Sequence, residues 1–362
     1  MAGVKYSLLI LKVALHQEII KNQRAVMKLN TYIFFLIFSL ISIQVFSQDA
    51  ALSQFYNAPT MFNAAEIGHR TSGGKYRFNG VHRNLGEGFR TTSLALDQTI
   101  DWRAKSYMGV GGAFIHDENA NGAFQTMTLL GGFSIHMSLD KKEEHFLSVG
   151  TQFGFLNNQL RPEKLIFEND ILGGEQEVFA NRSLFNFDGR MGMLYSYFPT
   201  EYQQLKIGFS VNHFVDFSDR FISDISTTNT QFSASVDYSQ SLNDAKWIIN
   251  PHALFLSQGT FSQVLVGVIG TRNCSNGIGF SFGASYKTAD LSTFNTINSR
   301  DAVIAIVGFR LENGSRIYAS HSFNISPLND FNNATGNFEL GIQWIINSAN
   351  NKRIVSPDML RN

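Results

Sequence analysis

The chain has 362 residues, 44% of them hydrophobic and only 16% charged, with 33 Phe, 30 Gly, 6 Pro and a formal net charge of zero. So few prolines and so many aromatics exclude a disordered chain, and the charged fraction falls well below the quarter usual in soluble domains. The single cysteine, Cys274, excludes an internal disulfide framework and a cysteine metal cluster.

Residues 1–26 carry no targeting logic of their own and read as an upstream extension, with Met27 as the expected start. Met27-Lys28, the apolar run Tyr32–Phe46 and the boundary Ser47-Gln48-Asp49 then form a secretory signal peptide over 27–47, with cleavage expected between Ser47 and Gln48. The apolar run is too short for a membrane-spanning helix. Removing residues 1–47 takes five of the 29 basic residues and one of the 29 acidic ones, leaving 24 against 28. A mildly acidic body gives no reason to expect nucleic acid as a partner.

A polar lead-in segment, residues 48–75, is expected on the periplasmic side. After it, fourteen strands are predicted near 76–84, 89–102, 105–115, 123–138, 145–156, 184–198, 203–215, 229–240, 245–256, 261–271, 275–287, 300–310, 314–325 and 335–346. Gly277–Lys287 shows the pattern most cleanly. Ile278, Phe280, Phe282, Ala284 and Tyr286 fall on one side, and Gly279, Ser281, Gly283, Ser285 and Lys287 on the other. The same alternation returns in Gln231–Ser239 and Asn337–Ile346. Most of these strands reach ten or more residues, which suits a tilted membrane strand rather than a soluble sheet. Their number is even, as closed single-chain bacterial barrels require.

Connection lengths also alternate. Short turns such as Arg103-Ala104, Leu139–Glu144 and Leu311–Asn313 are read as periplasmic, and longer links such as Asn157–Ser183, Asp216–Thr228, Thr288–Ser299 and Ser326–Ala334 as outer loops. The expected fold is therefore an all-β, antiparallel outer-membrane β-barrel of about 14 strands over 76–347, embedded in the outer-membrane bilayer, with a periplasmic tail at 348–362. Pro251 inside the ninth strand removes a ladder donor, which predicts a bulge there or a strand boundary nearby. Ala302, Ile304 and Ile306 place apolar groups on the inner face, which implies a packed or plugged lumen.

No metal-ligand spacing, nucleotide fingerprint or nucleophile motif occurs, so neither a cofactor nor a catalytic residue is expected. His213, His252 and His321 read as satisfied strand residues, and Asp117-Glu118 and Asp140–Glu144 as solvated turn residues. A Ser/His/Asn hydrolase site assembled from separate strands remains an alternative, although nothing singles out its serine. Leu165, Ile166 and Phe167 in the longest loop are candidate partner-binding residues, with a lid over the mouth as the competing reading.

Gln48-Asp49-Ala50-Ala51-Leu52-Ser53-Gln54-Phe55-Tyr56-Asn57-Ala58-Pro59 with Asn63-Ala64-Ala65 resembles the mature start of the PorP/SprF family of type IX secretion membrane proteins. Phe89-Arg90-Thr91-Thr92, Gly308-Phe309-Arg310, Ala319–Asn324 and Asn337–Ile342 resemble that family's later strands in the same order. Ala64 stands where the family has proline, and His321 and Asn324 depart from its closing run. The resemblance covers about 48–357. It implies a non-enzymatic outer-membrane component that supports delivery or surface anchoring of a large secreted protein, such as a gliding-motility adhesin. It also implies type IX secretion components and a peptidoglycan-binding periplasmic lipoprotein as partners. Gln54, Phe55, Asn57 and Asn63 are its candidate contact or barrel-plug residues. A passive channel for hydrophobic solutes is the alternative function.

Overall fold

The structure, a computed structural model, describes residues 49–69, 75–84, 88–103, 105–166, 182–200, 202–215, 218–219, 226–227, 229–242, 246–274, 278–289, 300–311, 313–325 and 336–346. The expected signal peptide, upstream extension, C-terminal tail and Phe167 lie outside these residues. No described helix is long and apolar enough to cross a membrane.

Fourteen antiparallel strands close into one barrel. They are β1 (Tyr76–Asn84), β2 (Arg90–Arg103), β3 (Ser106–Asn119), β4 (Phe124–Ser138), β5 (His145–Leu160), β6 (Ser183–Thr200), β7 (Gln203–Asn212), β8 (Gln231–Leu242), β9 (Trp247–Gln258), β10 (Phe261–Asn273), β11 (Ile278–Ala289), β12 (Arg300–Leu311), β13 (Arg316–Asn324) and β14 (Phe338–Ile346). Each pairs with its sequence neighbours, and β14 closes on β1 in unbroken register from Tyr76 opposite Ile346 to Asn84 opposite Phe338. Closure satisfies the backbone groups that an open edge would leave bare in lipid.

Side chains sort by parity. Along β14, Phe338, Leu340, Trp344 and Ile346 are exposed on the outer surface, while Glu339, Gln343 and Ile345 are buried inward. Phe280, Phe282 and Tyr286 face outward from β11, opposite the buried Ser281 and Ser285. This apolar exterior is the surface an acyl environment requires.

Three expectations change. There is no bulge at Pro251: the pairing with β8 lapses between Asp237–His252 and Gln240–Ile249 but resumes in the same register, and on its other side Pro251 is paired with Val268. The carbonyl opposite it is met by a neighbour: Asn250 Nδ2 donates to Tyr238 O at 2.6 Å, replacing the donor that proline lacks. Asp117 and Glu118 belong to β3 rather than to a turn, accepting from Thr91 Oγ1 and Gln125 Nε2. The lead-in segment runs through the barrel interior, where Leu52, Gln54, Phe55, Asn57 and Ala65 are buried. Asp140, by contrast, organises its turn as expected, accepting from the backbone N–H groups of Lys142, Glu144 and His145.

Candidate functional site

Residues 49–69 contain only single turns: Phe55–Asn57, Pro59–Phe62 with Pro59 at its first position, and Ala64–Glu66 capped by Asn63, whose Oδ1 accepts from Ala65 N at 2.9 Å. Such a stretch leaves most of its backbone groups without regular partners, and in a buried place each must find one. The barrel wall supplies them.

Asp49 lies beside His213, Gln231 and Gln258, at the end of the barrel that carries the long connections. Arg83 Nη1 donates to Ala51 O at 2.7 Å, and the Glu339 carboxylate accepts from Ser53 N and Gln54 N, both at 2.9 Å. Gln54 Nε2 reaches Ser320 Oγ and Glu339 O, Asn57 Nδ2 donates to Gln54 Oε1, and Arg316 donates to Asn57 Oδ1 and Tyr56 O. Asn63 Nδ2 donates to Met193 O at 3.0 Å. Towards the short-turn end, Arg77 donates to Glu66 O, Ser134 and His136 meet Ile67 O, and Thr99 Oγ1 donates to Gly68 O.

Of the candidates read from sequence, Gln54, Phe55, Asn57 and Asn63 are thus brought together inside the lumen. Leu165 and Ile166 stand apart, following the turn Pro162–Lys164 on the long loop, and Ile166 is 82% exposed. Sequence reasoning did not single out Arg83, Arg190, Glu339, Arg316 or Lys206. Their one signal was inward parity on strands whose other face is greasy, which marks a lumen residue without saying what it holds.

Two ion clusters flank the segment on one side. Lys206 Nζ lies 3.1 Å from Glu66 Oε1, and Arg77 pairs with Asp97 at 3.1 Å. Burial opposes ionisation of Glu66, but the Lys206 ammonium, with His69 and Arg77, outweighs it and holds the carboxyl down to about 2. At the other end, His213 Nε2 is 2.6 Å from Asp49 Oδ2 and His213 Nδ1 is 2.9 Å from Asp188 Oδ1, with Arg190 Nε 2.9 Å from Asp188 Oδ2. Burial would neutralise His213, yet the Asp49 and Asp188 carboxylates raise it to about 9. Asp49 is in turn lowered, because the His213 and Arg190 charges overcome its desolvation. A polar cavity of about 50 Å³ opens here, lined by Asp49, Met61, Asp117, Asn158, Arg190 and His213.

The opposite wall is apolar. Leu254, Leu256, Leu265, Ile269, Ile304 and Ile306 form one buried cluster with Leu52, Phe55, Tyr56, Met61 and Phe62. Ala302 is buried on the same inward face. Phe55 and Tyr56 lie 5.7 Å and 5.2 Å from the His252 ring, Tyr56 lies 5.8 Å from Tyr318, and the Arg316 guanidinium sits 5.6 Å over Tyr56. Each large apolar side chain buried this way stabilises the assembly by about 1.5–3 kcal/mol.

Glycines, Gly109, Gly150, Gly192 and Gly341 among them, line the wall where the segment comes close. A Cβ on Gly150 would strike the Ala64 carbonyl oxygen, and one on Gly192 would strike Asn63 Oδ1. A larger groove, about 520 Å³, lies on the lipid-facing exterior among Phe78, Leu94, Leu96, Phe114 and Leu129, away from these residues. Among the described residues, no group of three or more His, Cys, Asp or Glu side chains is placed to hold a metal ion.

A profile for the type IX secretion system membrane protein PorP/SprF matches residues 44–344. No curated protein matches the chain. Among solved structures it is similar to the toluene transporter TodX of Pseudomonas putida, at 11% identity over 83% of this chain and 98% of that one, with a TM-score of 0.44. It is also similar to the toluene transporter TbuX of Ralstonia pickettii (9% identity, 80% and 94% covered, TM-score 0.46). A third similar structure is BamA from Haemophilus ducreyi (10%, 76% and 71%, TM-score 0.38).

Proposed function

Because the chain belongs to the PorP/SprF family of type IX secretion system membrane proteins, we propose that this outer-membrane β-barrel acts without catalysis, as the station that delivers or anchors a large secreted protein at the cell surface. A gliding-motility adhesin is the kind of cargo that fits. Type IX components and a peptidoglycan-binding lipoprotein are its machinery-side partners. In this reading residues 27–47 are removed on export, the short turns face the periplasm, and the long loops with Leu165, Ile166 and Phe167 face outward.

The observation that carries the reading is the occupied lumen. Residues 49–69 thread the barrel and are bonded to both its walls. A passive channel needs a continuous path, and the buried residues 49–69 occupy space inside the lumen that such a path would use. A closed barrel that holds its own segment inside, with Ile166 exposed on the longest loop, suits holding a partner rather than passing a solute.

The test is mild detergent extraction of a tagged copy from its native host, followed by mass spectrometry of what co-purifies in near-equal amount. A large exported protein or a peptidoglycan-binding lipoprotein at that level is expected. Recovery of the barrel alone, together with hydrophobic-solute flux through it in liposomes, would shift the assignment to the channel.

A further inference from the structure

We propose that the lumen is a binding site for an irregular, turn-rich polypeptide segment, and that residues 49–69 are its resident ligand, exchangeable for a segment of a second protein. The inference rests on the anchoring role above and gives that role a place in the molecule.

The contacts define the ligand class. Eleven main-chain groups of the segment are met by wall side chains: the carbonyls of Ala51, Tyr56, Met61, Phe62, Glu66, Ile67 and Gly68, and the amides of Asp49, Ser53, Gln54 and Gly68. Four arginines, Arg77, Arg83, Arg190 and Arg316, each donate to a neutral carbonyl there. The Glu339 carboxylate reads two successive amides. Groups of this kind recognise a backbone, whatever its side chains. Side-chain selectivity is added by the apolar wall, which takes aromatic or aliphatic groups at the places of Phe55, Tyr56 and Phe62, and by Ser320, Arg316, Lys206 and His213, which meet the side chains of Gln54, Asn57, Glu66 and Asp49.

Apart from the chain itself, the attachment is non-covalent. Residues 49–69 join no barrel strand, and no disulfide can hold them, since Cys274 is the only cysteine. The segment does not use all that the wall offers: Arg83 Nε is buried without a hydrogen-bond partner among the described residues. What favours the resident is its tether to β1, which gives it a high effective concentration. A partner segment wins when it is itself held at the rim.

The experiment cuts the tether. A protease site is inserted between residues 70 and 74 of the full chain, the folded protein is cut in detergent, and a fluorescent synthetic peptide of residues 48–69 is added. Stoichiometric labelling that excess unlabelled peptide abolishes is expected. A peptide N-methylated at Ser53 and Gln54 should compete at least tenfold less well, because it cannot donate to Glu339. A cut barrel of native electrophoretic mobility that never takes up label overturns the proposal. Should the insertion block assembly, a barrel lacking residues 48–74 is refolded with and without the peptide. Native mobility regained only with peptide supports the site, and equal recovery without it, with no label bound, overturns it. A co-purified exported protein whose segments fail to displace the label would sink the lumen as its site and leave anchoring by the rim intact.

Discussion

The two sides of the lumen hold the same segment by different means. On the side built from β1, β2, β6 and β7, charged and hydroxyl groups meet individual backbone atoms of residues 61–69. On the side built from β9, β10 and β12, Leu254, Leu256, Leu265, Ile269, Ile304 and Ile306 present a surface without hydrogen-bonding partners. Hydrophobic contact is strong and non-directional, so the second side supplies adhesion without fixing position. Hydrogen bonds are weak in net terms but costly to leave unmade, so the first side fixes register. A segment held only by the apolar wall would slide; one held only by the polar wall would be positioned but loose.

The harshest break of this division is Arg77→Ala. It leaves Asp97 buried without its charge partner, with only the Gly68 N–H among the described residues to accept from, and takes one of two donors from Glu66 O, a loss of about 3–5 kcal/mol. The expected outcome is a barrel that still forms but whose segment is cut readily by protease near residues 66–69. Unchanged protection would show that position is fixed elsewhere. Leu265→Ala tests the other side. Deleting a fully buried leucine should cost about 2–5 kcal/mol, read as a lower temperature for loss of native electrophoretic mobility, with the register of the segment unaltered.

A milder lever is pH at the Asp49–His213 contact. With His213 raised from 6.5 to about 9, its contribution is complete below pH 6.5 and is lost as pH climbs through about 9. Asp49, lowered from 3.8, contributes above that pH and loses its part as acid protonates it. A spin label at Ala50 should therefore gain mobility above pH 9 and, in acid, only as the pH falls below 3.8, and a His213→Gln variant should lose the alkaline step. The smallest effect on stability belongs to Ile166→Ser. At a site this exposed, a change within about 0.5 kcal/mol is expected, while retention of a surface partner falls if the loop makes the contact. Native melting with normal partner recovery would remove the loop from the interface.

The barrel was legible because lipid imposes a rule on every second residue. Phe338, Leu340, Trp344 and Ile346 on one face and Glu339 and Gln343 on the other can be read without a fold in hand, and so can the even strand count and the alternating loop lengths. Elsewhere local signals misled. Pro251 looked like a break, because nothing in a strand pattern shows that Asn250 will supply the missing donor to Tyr238 O. Asp117 and Glu118 looked like turn residues because they fall just past the expected end of the third strand at residue 115, whereas their partners Thr91 and Gln125 come from adjoining strands. Inward Ala302, Ile304 and Ile306 did signal a packed lumen, though not by what.

The sequence by itself determined the strands, their closure into a membrane barrel and, through ordered motifs, the family. Those are properties of local periodicity, and periodicity is written in neighbouring residues. Only the tertiary structure decided that residues 49–69 pass through the lumen. An irregular segment has no period of its own, and the groups that hold it, from Arg77 to Glu339, are separated along the chain by the whole length of the barrel they build.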